Sequence, residues 1–77
     1  MGVVVGVTYC VKSPLLALRP DYEMPRFLTL PPGTVLTVTG ESQYPDFVEV
    51  SYEGQTVAAF AQDIDVRCER VNAQAER

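Results

Sequence analysis

The sequence predicts a small all-β domain built as an antiparallel barrel. Several short runs alternate between apolar and polar side chains, which is the period of a half-buried strand. Six prolines and five glycines separate these runs and indicate many turns. With 77 residues, of which 47% are hydrophobic, the chain has room for one domain with one modest core. This length favours a barrel over a two-sheet sandwich.

The first predicted strand covers residues 3–11 and is rich in valine. One face of it carries Val3, Val5, Val7 and Tyr9, followed by Val11. We expect this strand to lie in an N-terminal extension, residues 1–14, outside the barrel. A long uncharged strand with an open edge pairs readily with another chain. The sequence therefore predicts self-association in a homodimer, or addition to a partner's sheet, through this strand. Deleting residues 2–11 should then leave a folded monomer, whereas unfolding would mean that the strand belongs to the barrel.

The barrel itself is predicted over residues 15–68. Leu15–Leu18 forms a short strand, and the prolines in residues 19–26 make that segment irregular. Three further strands follow from the alternation. Their inward residues are Leu28 and Leu30, then Leu36 and Val38, then Val48, Val50 and Tyr52.

Turn residues set the boundaries of these strands. Pro32-Gly33 fits the centre of a type II turn, and Glu53-Gly54 fits a two-residue hairpin turn before a strand at 56–60. Ala61–Asp63 is expected to form one helical turn, and Ile64–Cys68 the last strand. Residues 69–77 read as a polar tail.

Charge and composition exclude several classes of function. The net charge is −4, and the six basic residues are scattered, so we expect no nucleic-acid binding. The apolar N-terminus lacks a basic leader and is too short to span a bilayer, so we expect a soluble, cytoplasmic protein with no membrane partner.

Candidate reactive groups are few. There is no histidine, and Cys10 and Cys68 are the only cysteines, so we expect no metal site, no cofactor and no catalytic residue. Asp63 and Asp65 read as a solvated acidic edge rather than a cation site. The two thiols are expected to be reduced and partly buried, although they would meet if the first and last strands pair.

The order of these strands, loops and turns resembles that of the Src-homology-3 domain family. The resemblance lies in Ala17-Leu18, an acidic loop with Asp21-Tyr22, the run from Pro25 to Gly33, Val35–Val38, Asp46–Val50 and Gly54-Gln55-Thr56. It covers residues 15–68 and implies an all-β, Src-homology-3-like antiparallel barrel of five strands, here with an extra N-terminal strand. The core that it implies is Leu15, Ala17, Leu28, Leu30, Leu36, Val38, Val50 and Ile64, with Ala59 or Phe60.

The same resemblance implies a protein-binding face. In that family a groove of aromatic residues binds polyproline-II peptides, and loop acids pair with a ligand arginine. Phe47 stands where the family has a tryptophan, and this chain has no tryptophan. The candidate face is Asp21, Tyr22, Glu23, Tyr44 and Phe47. We therefore expect a noncatalytic protein–protein interaction module, with an accessory or regulatory subunit of a larger enzyme complex as the alternative.

Overall fold

A computed structural model describes residues 3–19 and 26–71 of the chain. They form seven strands and one short helix. In chain order the elements are β1 (Thr8–Val11), β2 (Leu15–Arg19), β3 (Arg26–Leu30), β4 (Val35–Glu41), β5 (Phe47–Tyr52), β6 (Gln55–Phe60), α1 (Ala61–Arg67) and β7 (Cys68–Arg70).

The seven strands form one antiparallel sheet in the order β3-β2-β6-β5-β4-β1-β7. The all-β, antiparallel prediction is confirmed. The prediction of a five-stranded barrel with an extra N-terminal strand is not confirmed, because the sheet has seven strands and its end strands β3 and β7 do not pair with each other within the described residues.

Both predicted turns are present. Gly33 has φ 97°, and a type II turn requires a positive φ at its third residue. The Thr34 N–H donates to the Pro31 carbonyl at 3.2 Å, which is the hydrogen bond that closes such a turn. Glu53 and Gly54 have φ of 49° and 78° and lie between Tyr52 and Gln55, which are opposite each other on β5 and β6. Two successive positive φ values define a type I′ turn, whose twist matches that of the flanking strands β5 and β6.

The N-terminal segment differs from its prediction. The strand begins only at Thr8, because the Val7 N–H donates to the Val4 carbonyl at 3.2 Å and Gly6 takes φ 91°, which makes a turn. β1 then pairs with β4 on one side and with β7 on the other. It is therefore an internal strand of the sheet rather than an extension beside it. Alternation showed which side chains share a face, but it carries no information on which strands lie alongside.

The helix and the last strand of the C-terminal segment also differ from their predicted bounds. The single helical turn at Ala61–Asp63 is the start of α1, which continues to Arg67, and the last strand is Cys68–Arg70 rather than Ile64–Cys68. Ile64 is fully buried, as predicted, but from a helix. A short apolar run does not distinguish a strand from a helical turn.

The core lies on one face of the sheet, against which α1 packs. Its buried residues are Tyr9, Val11, Leu15, Ala17, Leu30, Leu36, Val38, Val50, Val57, Ala59 and Ile64, with Val3, Val7, Leu28, Val48, Tyr52 and Cys68 packed partly against them. The predicted inward sets of β2, β4 and β5 are all present. The core face of β6 carries Val57 and Ala59, which leaves Phe60 on the opposite face.

Candidate functional site

Three aromatic rings meet on the face of the sheet opposite the core. We call Tyr44, Phe47 and Phe60 the aromatic surface. The ring centroids of Phe47 and Phe60 are 5.5 Å apart with planes at 58°, and those of Tyr44 and Phe47 are 6.1 Å apart at 69°. These are tilted and edge-to-face arrangements, which aromatic pairs prefer. All three side chains are partly exposed, so the rings support one another and still present a face to solvent.

Strand register brings two of these rings together. Phe47 and Phe60 are directly opposite residues of β5 and β6, and opposite residues of an antiparallel pair point to the same face. Because Val57 and Ala59 face the core, Phe60 must face outward, and Phe47 faces outward with it.

The third ring is held by the loop between β4 and β5. The Tyr44 N–H donates to the Ser42 Oγ at 3.0 Å, and the Phe47 N–H donates to the Tyr44 carbonyl at 3.2 Å. Asp46, with φ 66°, turns the chain into β5, and its carbonyl accepts a bond of 3.0 Å from the Ala61 N–H. The loop is therefore tied both to itself and to the start of α1, which fixes the Tyr44 ring beside Phe47.

A shallow depression adjoins the aromatic surface. It has a volume of about 290 Å³ and is lined by Asp46, Phe60, Ala61 and Gln62. The Asp46 and Gln62 side chains are exposed there. The depression thus combines one ring face with a carboxylate and an amide, which suits a ligand that carries an apolar group next to a hydrogen-bond donor.

The structure brings together two of the five residues of the predicted binding face, Tyr44 and Phe47. The other three, Asp21, Tyr22 and Glu23, lie outside the described residues. The sequence analysis gives Phe60 as a core residue, the alternative to Ala59, and leaves it out of the binding face. Strand alternation could have placed it on the surface. If Val57 points inward, Phe60, three residues later, points to the opposite face, which is the face of Phe47.

The predicted self-association residues do not form one exposed face. Tyr9 is buried in the core, Val3 and Val7 pack partly against it, and only Val5 is largely exposed. The turn at Val4–Val7 rotates the segment and breaks the alternation on which the prediction rested.

The two cysteines are free and partly buried, as expected. Cys68 is opposite Val11 and packs towards the core, whereas Cys10 is opposite Glu69 and points to the other face. Burial, with smaller contributions from Cys10 and Asp63, raises the pKa of the Cys68 thiol to about 11. A thiol with this pKa is protonated and unreactive at neutral pH.

Two further observations concern the described part of the chain. No group of three or more Cys, Asp or Glu side chains there could hold a metal ion. None of its helices has the length and hydropathy needed to cross a bilayer.

No protein-family model matches the chain, and searches among curated proteins and among solved structures give no match either. The features that bear on function are therefore the geometry of the aromatic surface and the chemistry of the residues around it.

Proposed function

We propose that this chain is a noncatalytic protein–protein interaction module that binds its partner through the aromatic surface. The observation that carries this proposal is the cluster of three partly exposed rings next to the depression at Asp46. Aromatic side chains offer a large contact area with few rotatable bonds, so an interface built on them costs little conformational entropy.

The partner that fits this surface is an extended peptide segment with apolar residues. Tilted rings form shallow clefts between them, which accept the side chains of a polyproline-II or extended chain. Asp46 adds a carboxylate at the rim, so a basic or amide group in the peptide would gain a polar contact.

The finer assignment of the fold to the Src-homology-3 type is part of the proposal. It is supported by the antiparallel sheet, the type II turn at Pro32-Gly33, the tight hairpin at Glu53-Gly54 and the short helix before the last strand. The family resemblance would then extend to the position of Phe47 on the binding face.

The test uses a phage library of random dodecapeptides selected against the whole chain. Binders would be mapped by amide chemical shifts in ¹⁵N-labelled protein. We expect the shifts to centre on Tyr44, Phe47 and Phe60, and we expect Phe47→Leu to weaken binding at least tenfold because leucine keeps the apolar bulk but removes the ring stacking.

Phe27→Leu is the matched control, because Phe27 is exposed but belongs to a different part of the sheet. Thermal unfolding of both variants would confirm that they are folded. Equal loss of binding in both, or shifts that avoid the three rings, would contradict the proposal.

A further inference from the structure

The charged residues of the chain are segregated along the sequence. All six basic residues lie outside residues 27–66, whereas this stretch of forty residues contains six acidic ones. The structure describes the whole stretch, which forms most of β3, all of β4, β5 and β6, and most of α1. The described basic residues lie in other places: Lys12 follows β1, Arg19 ends β2, Arg26 begins β3, Arg67 ends α1 and Arg70 ends β7. The part of the chain that carries the aromatic surface is therefore acidic throughout.

Two of the acidic side chains lie beside the aromatic rings. Asp46 immediately precedes Phe47 and lines the depression together with Phe60. Glu49 comes two residues after Phe47 on β5, so its side chain points to the same face of the sheet, about 7 Å further along the strand. Both acidic side chains are exposed. Phe47 thus has one carboxylate before it and one after it along β5.

Neither carboxylate is neutralised by a basic residue that the structure describes. The ion pair in this part of the chain joins Lys12 to Glu69, and no described lysine or arginine pairs with Asp46 or Glu49. The Thr39 Oγ1 donates to the Glu49 Oε1 at 2.9 Å, which leaves the charge of Glu49 unchanged. Arg67, at the far end of α1, is about 9 Å along the helix axis from Ala61.

The residues outside the described part do not reverse this charge. By sequence, residues 20–25 contain two acids and no base, and residues 72–77 contain one of each. The negative charge around the aromatic surface is thus not cancelled by the composition of any neighbouring segment. Charge of one sign on an interface favours a partner of the opposite sign.

The depression offers three contacts that suit a cation. The face of an aromatic ring such as Phe60 attracts a positive charge, and the Asp46 carboxylate adds an opposite charge. The amide oxygen of Gln62 can accept an N–H bond. Lysine and arginine side chains have a long apolar stem, which would lie against the ring while the charged end meets the carboxylate.

We propose that the depression at Asp46 binds an arginine or lysine side chain of the partner, and that the acidic stretch selects a basic partner segment. The inference rests on the proposed function, because it names the class of partner that the aromatic surface binds. It concerns carboxylates other than Asp21 and Glu23, to which the family resemblance gives a similar role. Glu49, on the other side of Phe47, favours a second basic residue in the same segment. Attraction between the opposite charges also makes binding weaker at high salt.

The experiment uses dodecapeptides selected against the whole chain that shift the amides of Tyr44, Phe47 and Phe60. Each peptide is synthesised unchanged and in a neutral form, with citrulline for arginine and norleucine for lysine, so that side-chain length is kept and charge is removed. We expect the selected peptides to be enriched in arginine and lysine over the library. The neutral form should bind at least tenfold more weakly, and a change from about 0.05 M to about 0.5 M NaCl should weaken only the unchanged form several-fold.

The protein variants locate the basic side chain. Asp46→Asn keeps the size of the side chain, and asparagine tolerates the φ of 66° at this position. It should weaken the unchanged peptide about tenfold and leave the neutral peptide nearly unchanged, which is the coupling expected of two groups in contact. Glu49→Gln should cost about threefold.

Glu53→Gln is the matched control. It removes the same charge from an exposed residue of the acidic stretch, but Glu53 lies in the turn at the end of β5 and β6 that is far from Phe47 and Phe60. Both forms of the peptide should bind this variant as they bind the unmodified chain.

The outcomes separate this inference from the proposed function. Neutral peptides that bind as tightly as the unchanged ones, or equal losses in Asp46→Asn and Glu53→Gln, would overturn the basic partner and leave the aromatic interface in place. Peptides that couple to Asp46 but bind Phe47→Leu with full affinity would support the basic partner and contradict the role of the rings. A selection that gives no peptide with shifts at the three rings would contradict both.

Discussion

β1 and β3 occupy positions in the sheet that their sequences alone do not indicate: β1 is an internal strand and β3 is an end strand. β1 belongs to an uncharged, valine-rich run that looks like an open edge, yet it lies between β4 and β7, and its Val11 is fully buried. β3 alternates in the same way and carries core leucines, yet it ends the sheet and exposes Phe27. The difference shows that what a strand contributes depends on its neighbours, and that an apolar strand is protected when it is paired on both sides.

The strongest test of this comparison is deletion of residues 2–11. With β1 outside the barrel, a folded monomer would remain. With β1 between β4 and β7, deletion removes Tyr9 and Val11 from the core, leaves β4 paired on one side only, and takes from β7 the one strand with which it pairs among those that the structure describes. Each buried side chain of this size contributes about 1.5–3 kcal/mol, against a total stability of about 5 kcal/mol or somewhat more for a small domain. We expect the deleted chain to be unfolded by circular dichroism and by amide shift dispersion.

A double variant, Val4→Ser with Val5→Ser, is the control for that deletion. Both valines are more than half exposed, so their replacement should keep the fold. A deleted chain that gives dispersed amide shifts and a cooperative unfolding transition would show that β1 is dispensable.

A pair of aromatic substitutions compares the two strands more finely. Tyr9 on β1 is 7% exposed, and Phe27 on β3 is 65% exposed. Tyr9→Ala leaves a large cavity in the core and should lower the free energy of unfolding by about 3 kcal/mol or more, as large-to-small core changes do. Phe27→Ala should lower it by no more than about 0.5 kcal/mol. Urea denaturation of both variants measures the two values, and similar losses would mean that β3 is as buried as β1.

The turn that leads into β1 gives a smaller effect. Gly6 has φ 91°, and no atom lies within 4 Å of where a Cβ would be, so the cost of Gly6→Ala comes from the backbone alone. We expect about 1–2 kcal/mol of destabilisation. Gly40 is equally uncrowded but has no positive φ, so Gly40→Ala is the matched control and should be close to neutral. If the two substitutions cost the same in urea denaturation, the turn at Val4–Val7 is not what ends the valine run.

The features of the fold that the sequence predicts correctly are those determined by local geometry. Period-two alternation identifies the inward residues of β4 and β5, and turn chemistry places Pro32-Gly33 and Glu53-Gly54, because both depend on local geometry alone, whereas the inward residues of β2 come from the family resemblance. The neighbours of β1 depend on contacts between residues distant in the chain, such as Cys10 with Val35, and no local pattern encodes them. α1 is a seven-residue helix, too short for its period to stand out from that of a strand.

The candidate site likewise contains residues that are close in the chain and residues that only strand pairing brings together. Tyr44 and Phe47 are close in sequence and were predicted together. Phe60 joins them only through the register of β5 and β6. Residues that are close in the chain, such as Tyr44 and Phe47, can be grouped from the sequence, whereas residues that meet across neighbouring strands can be grouped only from the structure.

The smallest expected effect concerns the contact between β1 and β7, at Cys68 opposite Val11. Burial raises the pKa of this thiol from the ordinary value of 9.0 to about 11. The folded state therefore holds the proton at pH values where the unfolded state has lost it. The thiol contributes stability that is complete below about pH 9 and is lost as the pH rises towards 11. Cys68→Ala has no proton to lose at this position, so its stability should fall less than that of the unmodified chain over this range.

Urea denaturation of the two chains below pH 9 and near pH 11 isolates the thiol, because the two chains differ at residue 68 alone. Cys10→Ala serves as the second control. It removes a smaller cause of the shift and keeps the burial, so most of the pH dependence should persist in it. If Cys68→Ala and the unmodified chain lose stability in parallel, Cys68 is as accessible in the folded state as in the unfolded one. In that case the pairing of β7 with β1 would not protect the Cys68 side chain, and β7 would be open to solvent on its core side as well as at its edge.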